Sequence, residues 1–313
     1  MKQICYSAPA KIILSGEHSV VYGKPALATA IDKRIKIKLT SAVYSSTSCR
    51  PKHWQSMEDF VRKYLKLSDK FPDYNVDIYS EIPQGSGLGS SAAYSVASIA
   101  CLLHLFTKKP ASAELVNKLA FQAEKIFHKN PSGIDNSTST FGGFIFYRKE
   151  FEFLKLVSRL SIKIPNNFQE RMFLIDTGKP KESTAEMVEF VGKLWNQKGS
   201  QVEKTVNDIE KTTKRLVISL VQENFKFFCN SIAENQRLLE SLGVFSDYSK
   251  NLLSQISEYG VYKLVGAGGR AKGSGYVLFV ASDNGFDQVL EKNNFKFFPY
   301  KFSNKGLIYE NSG

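Results

Sequence analysis

The sequence predicts an α+β protein that is divided into two domains. Three observations support this prediction. Short strand-like runs joined by turns dominate the first part of the chain, a glycine-rich turn separates a strand-like run from a helix-like run, and a long helix-rich block later in the chain is followed by further strands. A chain of 313 residues can form one large or two medium domains, and two are expected here, over residues 1–160 and 161–313.

The first part of the chain is predicted to form a hairpin-rich sheet followed by helices. Apolar or alternating runs, with glycine or proline at the turns between them, predict strands over Lys2–Tyr6, Ala10–Leu14, Ala26–Ile31, Arg34–Thr40 and Asn75–Ile82. Helical spacing of apolar residues predicts helices over Met57–Leu65 and from a cap at Ser112 to near His128. A compact aromatic strand follows over Phe144–Tyr147.

The most distinctive segment places a glycine-rich turn between a predicted strand and a predicted helix. Gly85, Gly87 and Gly89 carry no Cβ, so the backbone can adopt positive φ there and approach an anion closely. Ser90 and Ser91 open the helix, whose unpaired N–H groups and dipole favour negative charge. The segment predicts a phosphate-binding turn, although the same residues also suit an ordinary tight turn with a serine cap.

The second part of the chain is predicted to form an α+β unit of its own. An apolar strand over Arg171–Asp176 precedes a helix-rich block from Thr184 to about Tyr259. A second glycine cluster, residues 266–275, lies between strands over Tyr262–Val265 and Tyr276–Ala281. The unit ends with a helix over Phe286–Lys292 and strands over Phe295–Pro299 and Gly306–Glu310.

The net charge of +12 and the pI of about 9.3 are compatible with a polyanionic partner. The lysines are scattered, however, and many alternate with acidic residues in the way that is typical of a solvated helix face. Attraction of small anionic substrates explains the charge as well, so no nucleic-acid partner is expected. No stretch approaches the length of a membrane span or a signal-peptide core, which favours a cytoplasmic protein without a membrane partner.

The four cysteines are spread widely and show no metal-ligand spacing, so we expect reduced structural thiols at Cys5, Cys49, Cys101 and Cys229. None of three well-known nucleotide-binding motifs is met in full by the sequence. The P-loop pattern and the protein-kinase signature do not occur. Gly266, Gly268 and Ala271 match the dinucleotide pattern, but a strand follows them in place of the required helix.

Three long segments resemble the motifs of the GHMP kinases, and most closely those of the mevalonate kinases among them. They are residues 8–26 (APAKIILSGEHSVVYGKPA), residues 83–93 (PQGSGLGSSAA) and residues 130–143 (NPSGIDNSTSTFGG). The resemblance implies an N-terminal domain of the left-handed βαβ type, a ferredoxin-like C-terminal domain and an active site in the cleft between them. It implies transfer of phosphate from Mg²⁺-ATP to the 5-hydroxyl of mevalonate, giving mevalonate 5-phosphate and ADP.

The same resemblance implies a role for each matching residue. Asp135 is expected to be the general base, with Lys11 close to it. Mg²⁺ is expected to bind Glu124 and Ser91. The ATP-binding turn is expected to comprise Gly85, Ser86, Gly87, Leu88, Gly89, Ser90 and Ser91. The residues expected near mevalonate or the nucleotide phosphates are Glu17, His18, Tyr94, Ser132 and Thr184.

Local sequence gives several of these residues a second interpretation. A charge at Glu124 lies on a partly apolar helix face and needs a cation, which Lys125 or a distant basic residue would supply as well as Mg²⁺. Asp135 lies in a predicted loop, where aspartate is a common turn former or helix cap. Near Thr184, Ser183 or Thr184 could cap a helix, with Glu186 or Glu182 favouring the same terminus.

Some questions stay open at this level. The second glycine cluster resembles the third GHMP motif, but Arg270 and Lys272 interrupt it, facing either phosphate or solvent. The acceptor could instead be phosphomevalonate, homoserine or a sugar. A non-catalytic basic binding protein on the same scaffold is the alternative from another class, and a homodimer is one expectation for the assembly.

Overall fold

The computed structural model describes residues 3–41, 50–51, 53–68, 73–83, 85–127, 131–151, 153–298 and 300–310. Predictions that fall on Lys2, Cys49, His128, Asn130 and Pro299 lie outside these residues.

The first part of the chain forms a six-stranded sheet whose described pairings are antiparallel. Its strands are β1 (Ile4–Ser15), β2 (Ala26–Ser41), β3 (Tyr74–Ser80), β4 (Phe144–Lys149), β5 (Lys155–Leu160) and a short strand from the far end of the chain, Ile308–Tyr309. That last strand pairs with β1, and the order continues through β2 and β4 to β5, while β3 pairs with β2.

The predicted break inside each of the first two strands is wrong. Residues 4–15 and 26–41 each form one continuous strand, because the chain absorbs the irregularity as a bulge. Pro9 pairs with Arg34 and Lys11 pairs with Ala30, so residues 31–33 lie opposite Ala10 alone. Strand β5, which has a mixed polar sequence, is not among the predicted strands.

Helices cover this sheet and form its core. They are α1 (Trp54–Leu65), α2 (Ser90–Thr107), α3 (Ala113–Phe127) and α4 (Ile134–Phe141). The expectation that no stretch approaches the length of a membrane span is wrong for α2, which by length and composition could cross a membrane, but 72% of its residues are buried inside the fold. It is therefore the central core helix of this part of the molecule, and it packs on β1 and β2.

The second part contains a four-stranded antiparallel sheet. Its strands are β6 (Met172–Asp176), β7 (Gly260–Leu264), β8 (Tyr276–Ala281) and β9 (Phe297–Phe298), in the order β7-β8-β6-β9. The helices are α5 (Asn166–Gln169), α6 (Thr184–Gln197), α7 (Gly199–Val221), α8 (Phe225–Ser241), α9 (Asp247–Ser254) and α10 (Phe286–Lys292). From β6 to β9 the chain follows the βαββαβ pattern of a ferredoxin-like fold, as expected.

The final strand, β10 (Ile308–Tyr309), leaves this second unit and returns to the first sheet. The domain boundary at residues 160 and 161 stays a prediction. The two sheets meet where the two glycine-rich segments touch. The backbone N–H of Tyr276 donates to Ser86 O over 3.4 Å, and a Cβ added at Gly87 would lie 3.3 Å from the Cα of Gly266.

Candidate active site

The glycine turn before α2 has the backbone that its sequence predicts. Gly85, Gly87 and Gly89 all have positive φ, between 69° and 80°. Gly89 is the N-cap of α2, and a Cβ at this position would lie 2.8 Å from Cγ of Lys11. Because Gly89 provides no capping side chain, N–H groups of the first helical turn are available to an anion.

Lys11 joins this turn to the predicted base. Its side chain extends from β1 beneath Gly89 and is almost completely buried. The ammonium lies 3.1 Å from Oδ1 of Asp135 and donates to Gly87 O over 3.2 Å, while the backbone N–H of Lys11 donates to Leu88 O over 3.0 Å. One cation is thus fixed between the turn and the carboxylate.

Asp135 lies in a helix and not in the loop that the sequence predicts. It is the second residue of α4, which begins after Gly133 in the left-handed conformation. The hydroxyls of Ser137 and Thr138 donate to the carbonyls of Gly133 and Ile134, which fixes this short helix locally. The Asp135 carboxylate faces Lys11 through Oδ1. Because 35% of the Asp135 side chain is exposed, the carboxylate remains accessible.

Glu124 provides a second, buried carboxylate on α3. Only 3% of the residue is exposed. Burial and, to a smaller extent, the negative charge of Asp135 raise its pKa to about 8, while Lys11 opposes the rise. Lys125, the alternative partner, lies over the Phe121 ring. A divalent cation would stabilise the ionised form of Glu124, so this carboxylate fits a magnesium ligand.

Glu17, in the turn after β1, belongs to a second lysine–carboxylate pair, which is completely buried. Lys263 of β7 forms an ion pair with Glu17, and both side chains are at most 2% exposed. Its ammonium also donates to Ile13 O over 2.9 Å and to Leu264 O. Burial raises the pKa of Glu17 and lowers that of Lys263, while each charge opposes the shift of the other.

His18 follows Glu17 and bonds to the second glycine cluster. It has a positive φ of 60°, and its Nε2–H donates to Ala267 O over 3.0 Å. Burial lowers the pKa of His18 to about 4, so the ring is neutral at pH 7. Nδ1 is therefore an acceptor, and it has no hydrogen-bond partner among the described residues.

Sequence comparison shows which known proteins this chain resembles. Residues 54–143 match the family described as GHMP kinases N terminal domain. The chain is 32% identical over 299 residues to the mevalonate kinase of Thermococcus sibiricus, covering 85% of this chain and 87% of that protein. It is 33% identical over 300 residues to the mevalonate kinase of Pyrococcus abyssi, covering 84% of this chain and 85% of that protein.

The chain belongs to the mevalonate kinase family. The crystal structure of the Methanococcus jannaschii mevalonate kinase superposes with a TM-score of 0.77 at 23% identity, covering 95% of this chain and 98% of that one. This likeness confirms the predicted α+β class and GHMP kinase fold.

In this mevalonate kinase family member, the remaining predicted substrate residues lie in three places. Ser132 lies just before α4, where its carbonyl accepts from Tyr147 and its hydroxyl accepts from the N–H of Ile134. Tyr94 lies on α2, and burial raises its pKa to about 12. Both are thus on elements that carry the glycine turn or Asp135.

Thr184 is the exposed first residue of α6. Ser183 caps that helix, since its hydroxyl accepts from the N–H of Glu186 and its own N–H donates to the Glu186 carboxylate. This capping box agrees with the structural alternative for the segment. Among the described residues, no hydrogen bond joins Thr184 to the other predicted site residues, so its role stays a prediction.

The second glycine cluster contains Arg270 and Lys272 at positions where their side chains have room. A Cβ at Gly268 would lie 2.0 Å from Val244 O, and one at Gly273 would lie 2.1 Å from Gly178 O. The crowded positions therefore keep glycine. Arg270 instead places its guanidinium 4.0 Å from the centre of the Phe190 ring, and Lys272 is exposed.

Sequence reasoning missed Lys263, and it considered Glu182 only as a charge near the start of α6. Lys263 is a single lysine in a strand that is otherwise apolar or aromatic, and this was the only signal for it. The Glu182 carboxylate accepts from the backbone N–H groups of Arg270 and Ala271, at 3.2 and 3.1 Å. It therefore holds the second glycine cluster in place.

Proposed function

We propose that the protein transfers the γ-phosphoryl group of ATP to the 5-hydroxyl of mevalonate, giving mevalonate 5-phosphate and ADP. The observation that supports this most strongly is the position of Lys11, whose ammonium contacts both Gly87 O of the glycine turn and Asp135 Oδ1. A cation between a phosphate-binding turn and a carboxylate is the arrangement that phosphoryl transfer requires, because the reaction depends on positioning and on stabilisation of charge.

Each residue has a distinct part in the proposed reaction. Asp135 accepts the proton of the attacking hydroxyl, and its partial exposure leaves the carboxylate accessible to the acceptor. Lys11 stabilises the negative charge that spreads over the transferring phosphoryl group. The glycine turn and the start of α2, residues 85–91, hold the other phosphate oxygens through backbone N–H groups.

We propose Glu124 and Ser91 as the magnesium ligands. The buried Glu124 carboxylate, with its pKa raised to about 8, fits a cation. Among the described residues, no group of three or more His, Cys, Asp and Glu side chains is arranged to hold a metal ion, so phosphate oxygens and water would complete the coordination shell. When bound, Mg²⁺ neutralises charge on the ATP phosphates.

The acceptor is proposed to lie between Asp135 and the turn that contains Glu17 and His18. The neutral His18 ring provides an acceptor at Nδ1, and Tyr94, Ser132 and Thr184 are the other proposed contacts. Identity of 32% and 33% to two mevalonate kinases favours mevalonate over phosphomevalonate, homoserine or a sugar. The acidic and basic groups placed together at this site also argue against a non-catalytic binding protein.

A coupled assay of ADP release tests this proposal. With Mg²⁺-ATP, mevalonate should give turnover, and phosphomevalonate, homoserine and galactose should give little. The Asp135→Asn variant, purified in the same way, controls for a contaminating kinase. Turnover with another acceptor and none with mevalonate would refute the proposed substrate, and full activity in the presence of EDTA would refute the role of magnesium.

We further propose a homodimer in the cytoplasm. Light scattering should then give twice the chain mass of 35.1 kDa. Cell fractionation should place the protein in the cytoplasmic fraction, since the apolar helix α2 forms part of the core. A monomeric mass at all concentrations tested would disprove the dimer.

A further inference from the structure

A lysine of the second unit lies against the glycine turn of the first. A Cβ built on Gly85 would be 3.0 Å from Cε of Lys179 and 3.6 Å from its Nζ. The Lys179 ammonium is therefore next to the turn that is proposed to bind phosphate. No sequence pattern indicates this contact, because Lys179 lies outside the three motif segments.

The loop that carries Lys179 is anchored on both sides of it. This loop, residues 177–183, connects β6 to α6. The N–H of Thr177 donates to Gly275 O over 3.0 Å, and the N–H of Gly275 donates to Gly178 O over 2.9 Å. After Lys179, the Glu182 carboxylate accepts from two backbone N–H groups of the second glycine cluster. The position of Lys179 is thus set by the fold.

The charge of Lys179 is not used elsewhere in the described part of the chain. The ion pairs among those residues do not include it, and the side chain is exposed. Lys11, by contrast, is buried beneath Gly89 at the other end of the same turn. Two ammonium groups therefore flank one anion-binding turn, and each comes from a different sheet-containing unit.

We propose that Lys179 binds the polyphosphate of the nucleotide. Lys179 would then add a positive charge from the second unit to the one that Lys11 provides from the first. This inference rests on the proposed function only in placing ATP at the glycine turn. An exposed lysine on an anchored loop has freedom in its side chain alone, so it can contact phosphate without a movement of the backbone. Nucleotide binding would then connect the two units of the molecule.

Calorimetry with the full-length protein tests the inference. The probes are ATP, inorganic tripolyphosphate and adenosine. Replacing the ammonium with an uncharged group in Lys179→Met should weaken binding of ATP and tripolyphosphate about tenfold, because one charge-assisted contact is lost, while adenosine binding is unchanged. Lys181→Met is the matched control, because Lys181 is exposed on the same loop. The affinity of this variant for each of the three probes should stay within about twofold of wild type.

Lys179→Arg separates charge from packing. This variant keeps the positive charge and should retain most of the ATP affinity. Wild-type affinity in Lys179→Met, at an unchanged melting temperature, would overturn the inference, and so would an equal loss in Lys181→Met or in Lys179→Arg. None of these measurements contains mevalonate, so a protein that binds ATP through Lys179 but phosphorylates no mevalonate would disprove the proposed function alone.

Discussion

Two lysine–carboxylate pairs each include one residue of strand β1 or of the turn after it, and they differ in how far they are exposed to solvent. In the first, Lys11 pairs with Asp135, whose side chain is 35% exposed. In the second, Lys263 pairs with Glu17, and their side chains are 0% and 2% exposed. The chemical groups are identical. The difference in exposure means that only the first pair has a carboxylate that is accessible to solvent.

The second pair is suited to holding the molecule together. Removing two charges from water is costly, and the attraction between them offsets this cost only when further hydrogen bonds are present. Lys263 makes such bonds to Ile13 O and Leu264 O. Since Lys263 belongs to β7 and Ile13 to β1, the pair joins the two sheets behind the candidate active site.

Replacing Asp135 should give the largest effect on activity. Asp135→Asn removes the proposed base with little change in shape, so kcat should fall by roughly 10²- to 10⁴-fold. ATP binding should persist, because the glycine turn is unaltered. Steady-state kinetics and calorimetry would measure both, with Asp287→Asn on the exposed face of α10 as a control that keeps full activity. Near-normal kcat in Asp135→Asn would exclude Asp135 as the base.

Replacing Lys263 should affect stability most. Lys263→Met leaves Glu17 buried without its cation, which should lower the free energy of unfolding by about 3–5 kcal/mol. Lys250→Met provides the contrast, because Lys250 forms an exposed ion pair with Asp247 that should contribute at most about 1 kcal/mol. Denaturant titration would measure both values.

A double variant sharpens this comparison. Adding Glu17→Gln to Lys263→Met removes the uncompensated charge, so part of the lost stability should return. If Lys263→Met alone were as stable as wild type, the pair would not hold the sheets together.

Glu124 predicts a pH dependence of stability in the metal-free protein. Its pKa is raised from 4.5 to about 8 in the folded state, so the folded protein retains a proton that the unfolded chain releases over this range. The contribution of Glu124 to stability should therefore be complete below about pH 4.5 and be lost as the pH rises through about 8. Melting temperatures from pH 5 to 9 should fall more steeply for wild type than for Glu124→Gln. Parallel curves would contradict the assignment.

The smallest effect is expected at Arg270, a cation that belongs to neither pair. Arg270→Ala removes the contact of this exposed side chain with the Phe190 ring and should cost about 0.5–1 kcal/mol of stability. The kcat and the KM for ATP should stay within about twofold of wild type. Thermal melts and kinetics would check this, and a large rise in the KM for ATP would place Arg270 at the phosphates instead.

Sequence was informative where function depends on backbone shape. The positive φ values of Gly85, Gly87 and Gly89 follow from the residue type, and the motif segments alone single out Lys11 and Asp135. The α+β class and the GHMP fold were also predicted correctly. The catalytic and binding roles of these residues remain proposals.

Tertiary context decided the rest. Asp135 lies in a helix whose Ser137 and Thr138 hydroxyls bond back to the chain, whereas the local propensity of the sequence favoured a loop. Lys263 and Lys179 are single lysines whose partners lie far away along the chain, so no spacing could reveal them. The long bulge between β1 and β2 looked like a turn because the residues that pair on either side of it lie on two different strands.

The pairing of β10 with β1 has a consequence for synthesis on the ribosome. Tyr309 pairs with Tyr6, the N–H of Glu310 donates to Cys5 O over 2.8 Å, and the Ser7 hydroxyl donates to the Glu310 carboxylate over 2.6 Å. These contacts join residues about 300 positions apart, so one edge of β1 stays unpaired until nearly all of this sequence has been translated. During that interval an emerging chain presents an open strand edge around Tyr6 and Ser7, where another strand could pair.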